Sequence, residues 1–232
     1  MTHWTTLACA VTASGDELYL RRRGEIYEIR YNGIELMSSL NHQSEDQLAL
    51  RAMRQLEFAP RRILIGGLGL GYTTRAVLEV MRGDAEVHVC ELIPEVADWN
   101  RDHVGHLAGH PLRDPRCHLH IEDVQVHLAN NPHAYDLVLL DTDNGPDFLV
   151  RPENTELYRA SGLELIIRAL RPAGAACFWS ATASSRFEDR LRLQPQPWHR
   201  DDIALLPGRV DAMHYLYFVR GKPIAKADAL AA

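Results

Sequence analysis

The sequence predicts an α/β fold. A mostly parallel sheet with helices on both faces is closed by an antiparallel strand and preceded by a small N-terminal β-sheet. Three observations lead there. From Arg61 onward, short apolar runs alternate with helical patterns. A glycine cluster, Gly66, Gly67, Gly69 and Gly71, joins the first such run to the first such helix. Before Arg61 the pattern has period two and is broken by turn dipeptides.

Residues 4–37 carry Leu18, Leu20, Ile26, Ile29, Ile34 and Leu36 in alternation, punctuated by Gly15-Asp16, Arg23-Gly24 and Asn32-Gly33. Asn-Gly between apolar segments signals a hairpin. Ser44 with Gln47 three residues on fits a capping box, so a helix is expected from there to about Glu57, ahead of Pro60. Ile63-Leu64-Ile65 reads as a buried parallel strand. The next helix shows Ala76, Val77, Val80 and Met81 on one face. Further strands are expected at Glu86–Cys90, Cys117–Ile121, Tyr135–Leu140 and Ala173–Ser180. Helices are expected from Pro94 to about His103 and from Asn154 to Leu170, and Met213–Arg220 reads as the closing strand.

At 232 residues the chain suits one domain of ordinary size, with residues 1–43 as a hairpin region and 44–232 as the main domain. Hydrophobic content of 46% is ample for a core, and the net charge of −6 argues against nucleic acid as a partner. Cys9, Cys90, Cys117 and Cys177 are dispersed without a C-x-x-C pair, so no disulfide framework is expected. That cysteine usage makes a cytoplasmic location the expectation, and no signal peptide is read at the N-terminus. No apolar run reaches membrane-spanning length, so no membrane partner is expected. The Ala-rich tail after Lys222 is expected to fray.

The glycine spacing separates ligand classes. A dinucleotide loop has its third glycine after a two-residue gap, where this chain has Tyr72. The Lys-Ser/Thr of a phosphate-binding loop is also missing. Gly67, Gly69 and Gly71 instead read G-x-G-x-G. A merely tight strand–helix turn is the plain alternative. Acids then stand at three further strand ends: Glu91, Asp123 and Asp141. Ligands in open α/β sheets lie outside those ends. Glu91, 20 residues after Gly71, suits two ribose hydroxyls, Asp123 an adenine amino group and Asp141 the reacting end. Each acid alone is explained as well by a helix cap or surface charge; their coincidence with the glycine loop makes them a constellation.

From Glu17 to about Arg190 the chain resembles the spermidine synthase family and its shortened bacterial relatives. The matching stretches are IGGLGLG at 65–71, CEL at 90–92, DPR at 114–116, ED at 122–123, YDLVLLD at 135–141, GP at 145–146, LY at 157–158 and ALRPAG at 169–174. The resemblance implies a Rossmann-like class I methyltransferase fold, S-adenosylmethionine (SAM) as substrate or donor, a small-molecule substrate and a homodimer. Gly67, Gly69, Gly71, Glu45, Glu91, Leu92, Asp123 and Thr142 are the implied cofactor residues. Two departures stand out. The family carries two aspartates three apart after the fourth strand, whereas here Asn144 stands three after Asp141 and Asp143 points elsewhere. The family's Tyr-His pair falls on Leu48 and Ala49, although Glu45 fits the acid before it.

Three carbons next to a sulfonium are electrophilic, and the protein selects one by what it holds in line behind it. Asp141, Asn144 and Tyr72 are the candidate catalytic residues, for deprotonating and lining an attacking amine. The first reading is attack on the three-carbon chain with release of methylthioadenosine. The amine is then external, or it is SAM's own α-amino group closing to azetidine-2-carboxylate. The second is methyl transfer to a small molecule, releasing S-adenosylhomocysteine. The third is a non-catalytic SAM- or methylthioadenosine-binding protein. His103, His106 and His110 have metal-like spacing, but Gly105, Gly109 and Pro111 interrupt it and no metal is expected. Arg21-Arg22-Arg23 reads as a solvated strand edge. Trp179 is either core or a wall of the acceptor pocket, and Glu45 either a helix-start charge or a ligand to the cofactor's amino group.

Overall fold

The computed structural model describes residues 3–205 and 213–223. The N-terminal segment forms four antiparallel strands in sequential order, β1 (Thr5–Val11), β2 (Glu17–Arg23), β3 (Ile26–Tyr31) and β4 (Ile34–Ser38). Asn32 and Gly33 both take left-handed φ, 46° and 79°, as the tight turn between β3 and β4 requires. Leu18, Leu20 and Ile29 turn inward and are fully buried.

The main sheet holds β5 (Arg62–Gly66), β6 (Glu86–Glu91), β7 (Cys117–Ile121), β8 (Tyr135–Leu140), β9 (Leu170–Ser180), β10 (Trp198–Ala204) and β11 (Met213–Arg220). Its order is β10-β11-β9-β8-β5-β6-β7. β5 to β9 run parallel, and β11 lies antiparallel between β9 and β10, as expected of a closing strand. All six residues of β8 are buried, the signature of a strand covered on both faces. The connections diverge between β5 and β8, and such a switch point opens a crevice at the carboxyl ends of the strands.

Helices α1 (Gln43–Met53), α2 (Tyr72–Val80) and α3 (Pro94–Trp99) pack with the N-terminal sheet on one face, through Leu48, Val77 and Val96. Helices α4 (Val124–Asn130), α5 (Ala160–Ala169) and α6 (Ser185–Arg192) cover the other, through Leu128, Ile166 and Phe187. No helix among the described residues is long and apolar enough to cross a membrane.

Several local expectations are corrected. Ser44 does not cap α1: it is buried inside the first turn and its hydroxyl donates to Glu45 Oε2 at 2.6 Å. Asn41 Oδ1 accepts from the Gln43 N–H instead, at 2.9 Å, and the helix stops at Met53. Val80 is 45% exposed; the buried stripe of α2 runs through Thr73, Ala76 and Val77. The helix expected over 154–170 is split. A 3-10 segment, Pro152–Tyr158, ends at extended Arg159, and Leu170 already belongs to β9. Elements α6 and β10 complete the C-terminal part; Ser184 caps α6 by accepting from the Phe187 N–H at 3.1 Å. The tail beyond residue 223 lies outside the described residues.

Candidate active site

The crevice at the switch point is a cavity of about 440 Å³, floored by the carboxyl ends of the parallel strands and roofed by the N-terminal sheet. The glycine loop makes the floor possible. Gly67 has φ of 93°, and a Cβ there would stand 2.2 Å from the Asp141 carbonyl oxygen, so only glycine lets the two loops touch. Gly69 (φ 52°) leaves room for Met37 of β4, whose sulfur accepts from the Leu70 N–H at 3.1 Å. That contact seats the roof on the loop.

Glu91 and Asp123 act in two directions. Glu91 accepts the Leu68 N–H at 3.1 Å and the Ile93 N–H at 2.9 Å, which fixes the loop, and the same residue borders the cavity. Burial holds its carboxyl above the ordinary range against those hydrogen bonds. Asp123 caps α4 through Oδ1, accepting from the Gln125 N–H at 2.8 Å, and also borders the cavity. The capping and ligand-binding readings are therefore compatible.

Asp141, at the end of β8, sits deep in the wall and accepts from the Thr73 hydroxyl at 2.7 Å. Glu45, in the first turn of α1, borders the same space. Burial pushes both carboxyls up, and the Asp141 charge pushes Glu45 further. Two acids in this relation share protons as a pair and bind a cation readily.

Gly67, Gly69, Glu45, Glu91, Leu92, Asp123, Asp141, Thr142 and Asn144 all border the cavity. Tyr72 does not border it. It is 3% exposed, its ring stacks on His42 at 4.4 Å and Arg75 lies 5.3 Å above it. As the first residue of α2 it points toward α1, while Thr73, the next residue, reaches Asp141. Gly71 also lies outside the lining and serves as the left-handed cap of α2. Asp143 accepts four bonds, from the N–H groups of Asn144, Val150 and Arg151 and from Asn154 Nδ2. It organises its own loop, and it too borders the cavity.

Other wall residues were less visible in the sequence. Trp179 borders the cavity, its ring edge-on to His214 at 4.6 Å, and its Nε1 has no hydrogen-bond partner among the described residues. Burial lowers His214 to about 4, leaving a neutral imidazole. Arg151 stands on the loop after Asp143. Glu28, 3% exposed, enters from β3 with Arg21 and Arg30 each 3.5 Å away. Trp179 was signalled by its strand-end position; Arg151 and Glu28 reach the site only through loop and sheet packing. The exposed His103 and His106 stay outside the cavity.

The model of the spermine/spermidine synthase domain matches residues 47–188. The chain belongs to the spermine/spermidine synthase family. Polyamine aminopropyltransferase 2 of Pseudomonas aeruginosa is 32% identical over 177 residues, covering 75% of this chain and 46% of that protein. The chain thus spans about half the length of this curated relative. Spermidine synthase in complex with the transition state analogue AdoDATO superposes with a TM-score of 0.77 at 16% identity, over 93% of this chain and 73% of that one. Spermidine synthase from Thermotoga maritima gives 0.74 at 15%, over 93% and 72%. At these identities the structures establish the fold.

Proposed function

We propose that this family member attacks the three-carbon chain of a SAM-type sulfonium and releases methylthioadenosine, with SAM's own α-amino group as the nucleophile and azetidine-2-carboxylate as the product. The observation that carries the reading is the Glu45–Asp141 pair facing a cavity whose further wall brings Asn144, Trp179, neutral His214 and Arg151, while Asp143 is taken up by four loop donors and Glu28 by Arg21 and Arg30. A diamine needs a carboxylate at each end; an amino acid chain needs a cation for its carboxylate, and Arg151 stands in the lining.

The cavity lies within the range of small-molecule sites, and the glycine loop, Glu91 and Asp123 suit a nucleoside. The bound sulfonium supplies the electrophile: the amine lone pair forms C–N at the γ-carbon, C–S breaks, and sulfur keeps the electron pair. Asp141 and Glu45 hold the amine and take its proton. Asn144, whose N–H is fixed by Asp143 and whose carbonyl accepts from the Ala181 N–H at 3.1 Å, orients it. Trp179 keeps water out and faces developing positive charge.

A second reading rests on Glu28. This buried carboxylate on the roof gives an external amine an alternative anchor, which favours aminopropyl or aminocarboxypropyl transfer from SAM or decarboxylated SAM. Product analysis with each donor, with and without putrescine, separates the two. Azetidine-2-carboxylate from SAM alone supports cyclisation. A product that forms only with the amine replaces it with the second reading. S-adenosylhomocysteine as the only nucleoside product, or no turnover with any donor, sinks both.

A further inference from the structure

On the face of the main sheet away from the N-terminal strands, β6 and β7 run parallel with His88 opposite His118 and Cys90 opposite His120. Period two puts these side chains on one face, where α4 lies. One ring nitrogen each of His88, His120 and His127 lies within 4.8 Å of the other two. We propose that these three imidazoles bind one divalent transition-metal ion of the zinc class, tying the edge strand β7 and helix α4 to the sheet. The inference goes beyond the catalytic reading and does not depend on it.

The arrangement of partners favours a metal over a chance cluster. His88 Nδ1 and His120 Nε2 face each other at 2.9 Å. Carboxylates stand at the opposite nitrogens: Glu86 Oε2 is 3.4 Å from His88 Nε2, and Glu122 Oε1 is 2.7 Å from His127 Nδ1 and 3.9 Å from His120 Nδ1. Metal-bound imidazoles are held in this way, with the outer N–H donated to a carboxylate. A tetrahedral zinc site places its nitrogens about 3.3 Å apart, so small ring rotations suffice.

His127 contributes Nε2, which here pairs with the Tyr135 hydroxyl. Binding exchanges the His88–His120 and Tyr135–His127 hydrogen bonds for three metal–nitrogen bonds. No proton leaves: the one between His88 and His120 is taken up at an outer ring nitrogen, so that His88 Nε2–H faces Glu86 and His120 Nδ1–H faces Glu122. Arg62 here donates to His88 Nε2 at 3.2 Å; on metal binding it gives up that bond and keeps its pair with Glu86 at 3.1 Å. The His120 side chain is 31% exposed on the sheet edge, which gives the ion a way in.

The test is equilibrium dialysis of the tag-free, chelator-treated full chain against Zn²⁺, read by elemental analysis, with Co²⁺ absorption as an independent signal. One equivalent is expected. His120→Ala, at a partly exposed position, is expected to weaken binding at least tenfold, while His103→Ala, exposed on the helical segment that continues α3, leaves it unchanged. Tyr135→Phe, which removes the competing hydroxyl, is expected to tighten binding. Absence of stoichiometric Zn²⁺ in wild type, retention of full affinity in His120→Ala, or loss in His103→Ala overturns the proposal.

Discussion

Asp141 and Glu45 carry the chemistry at the residue scale. If Asp141 takes the proton of the attacking amine, Asp141→Ala lowers kcat by roughly 10²–10⁴, the usual contribution of a positioned base; steady-state methylthioadenosine release measures it. The pair also sets a pH dependence. Burial holds both carboxyls above their ordinary values of 4.5 for Glu45 and 3.8 for Asp141. A raised carboxyl keeps its proton in the fold after the unfolded chain has lost it. The ligand-free protein therefore loses stability as pH rises from the ordinary values through the folded ones. Thermal melts across mildly acidic to mildly alkaline pH are expected to fall over that window, with a shallower slope in Glu45→Gln. Equal slopes would contradict a raised Glu45. The acid at the end of β8 was legible because strand ends are where such sheets bind ligands. The placement of Tyr72 beside His42, away from the cavity lining, was not legible, because spacing to the glycines says nothing about which way the first turn of α2 faces.

At the scale of elements, two loops define the site, and each rests on one residue. Gly67 permits contact between the glycine loop and the Asp141 backbone. Gly67→Ala is expected to cost about 1–3 kcal/mol from its positive φ alone, with more from the clash, and to abolish nucleoside binding; denaturant unfolding and calorimetry read the two effects. Asp143 gathers four donors of the 143–154 loop. Asp143→Ala leaves buried donors unmet, at about 1–3 kcal/mol for each one left dry, and lowers kcat/KM by misplacing Asn144 and Arg151. An unchanged kcat/KM would remove the loop from the site. The strands of the main sheet were readable because apolar runs between glycine and acid punctuation have few alternatives. The break at Arg159 was not, since Gly162 lies against the Glu156 and Leu157 carbonyls only after the chain has folded back.

At the scale of the whole molecule, the cavity exists because the N-terminal sheet sits on the glycine loop through Met37. A ligand held between roof and floor stabilises both. Methylthioadenosine at about 100 times its Kd is expected to add about 2.7 kcal/mol, or roughly 5–10 °C in Tm for a chain of this size. No shift at saturating ligand would mean the cavity is not a nucleoside site. The period-two alternation before Arg61 announced the roof as a sheet but not its position, which depends on packing between distant segments. The Glu28 wall and the histidine cluster on β6, β7 and α4 stayed hidden for the same reason: register between strands brings them together.

The central claim is that the bond from sulfur to the three-carbon chain breaks, and SAM carrying ¹³C in its S-methyl group tests it most directly. Incubated with the enzyme and analysed by mass spectrometry, the label is expected to remain with the nucleoside as labelled methylthioadenosine, and Asp141→Ala is expected to slow its formation by roughly 10²–10⁴. Label appearing in an acceptor, with unlabelled S-adenosylhomocysteine left behind, would make the protein a methyltransferase and contradict the account.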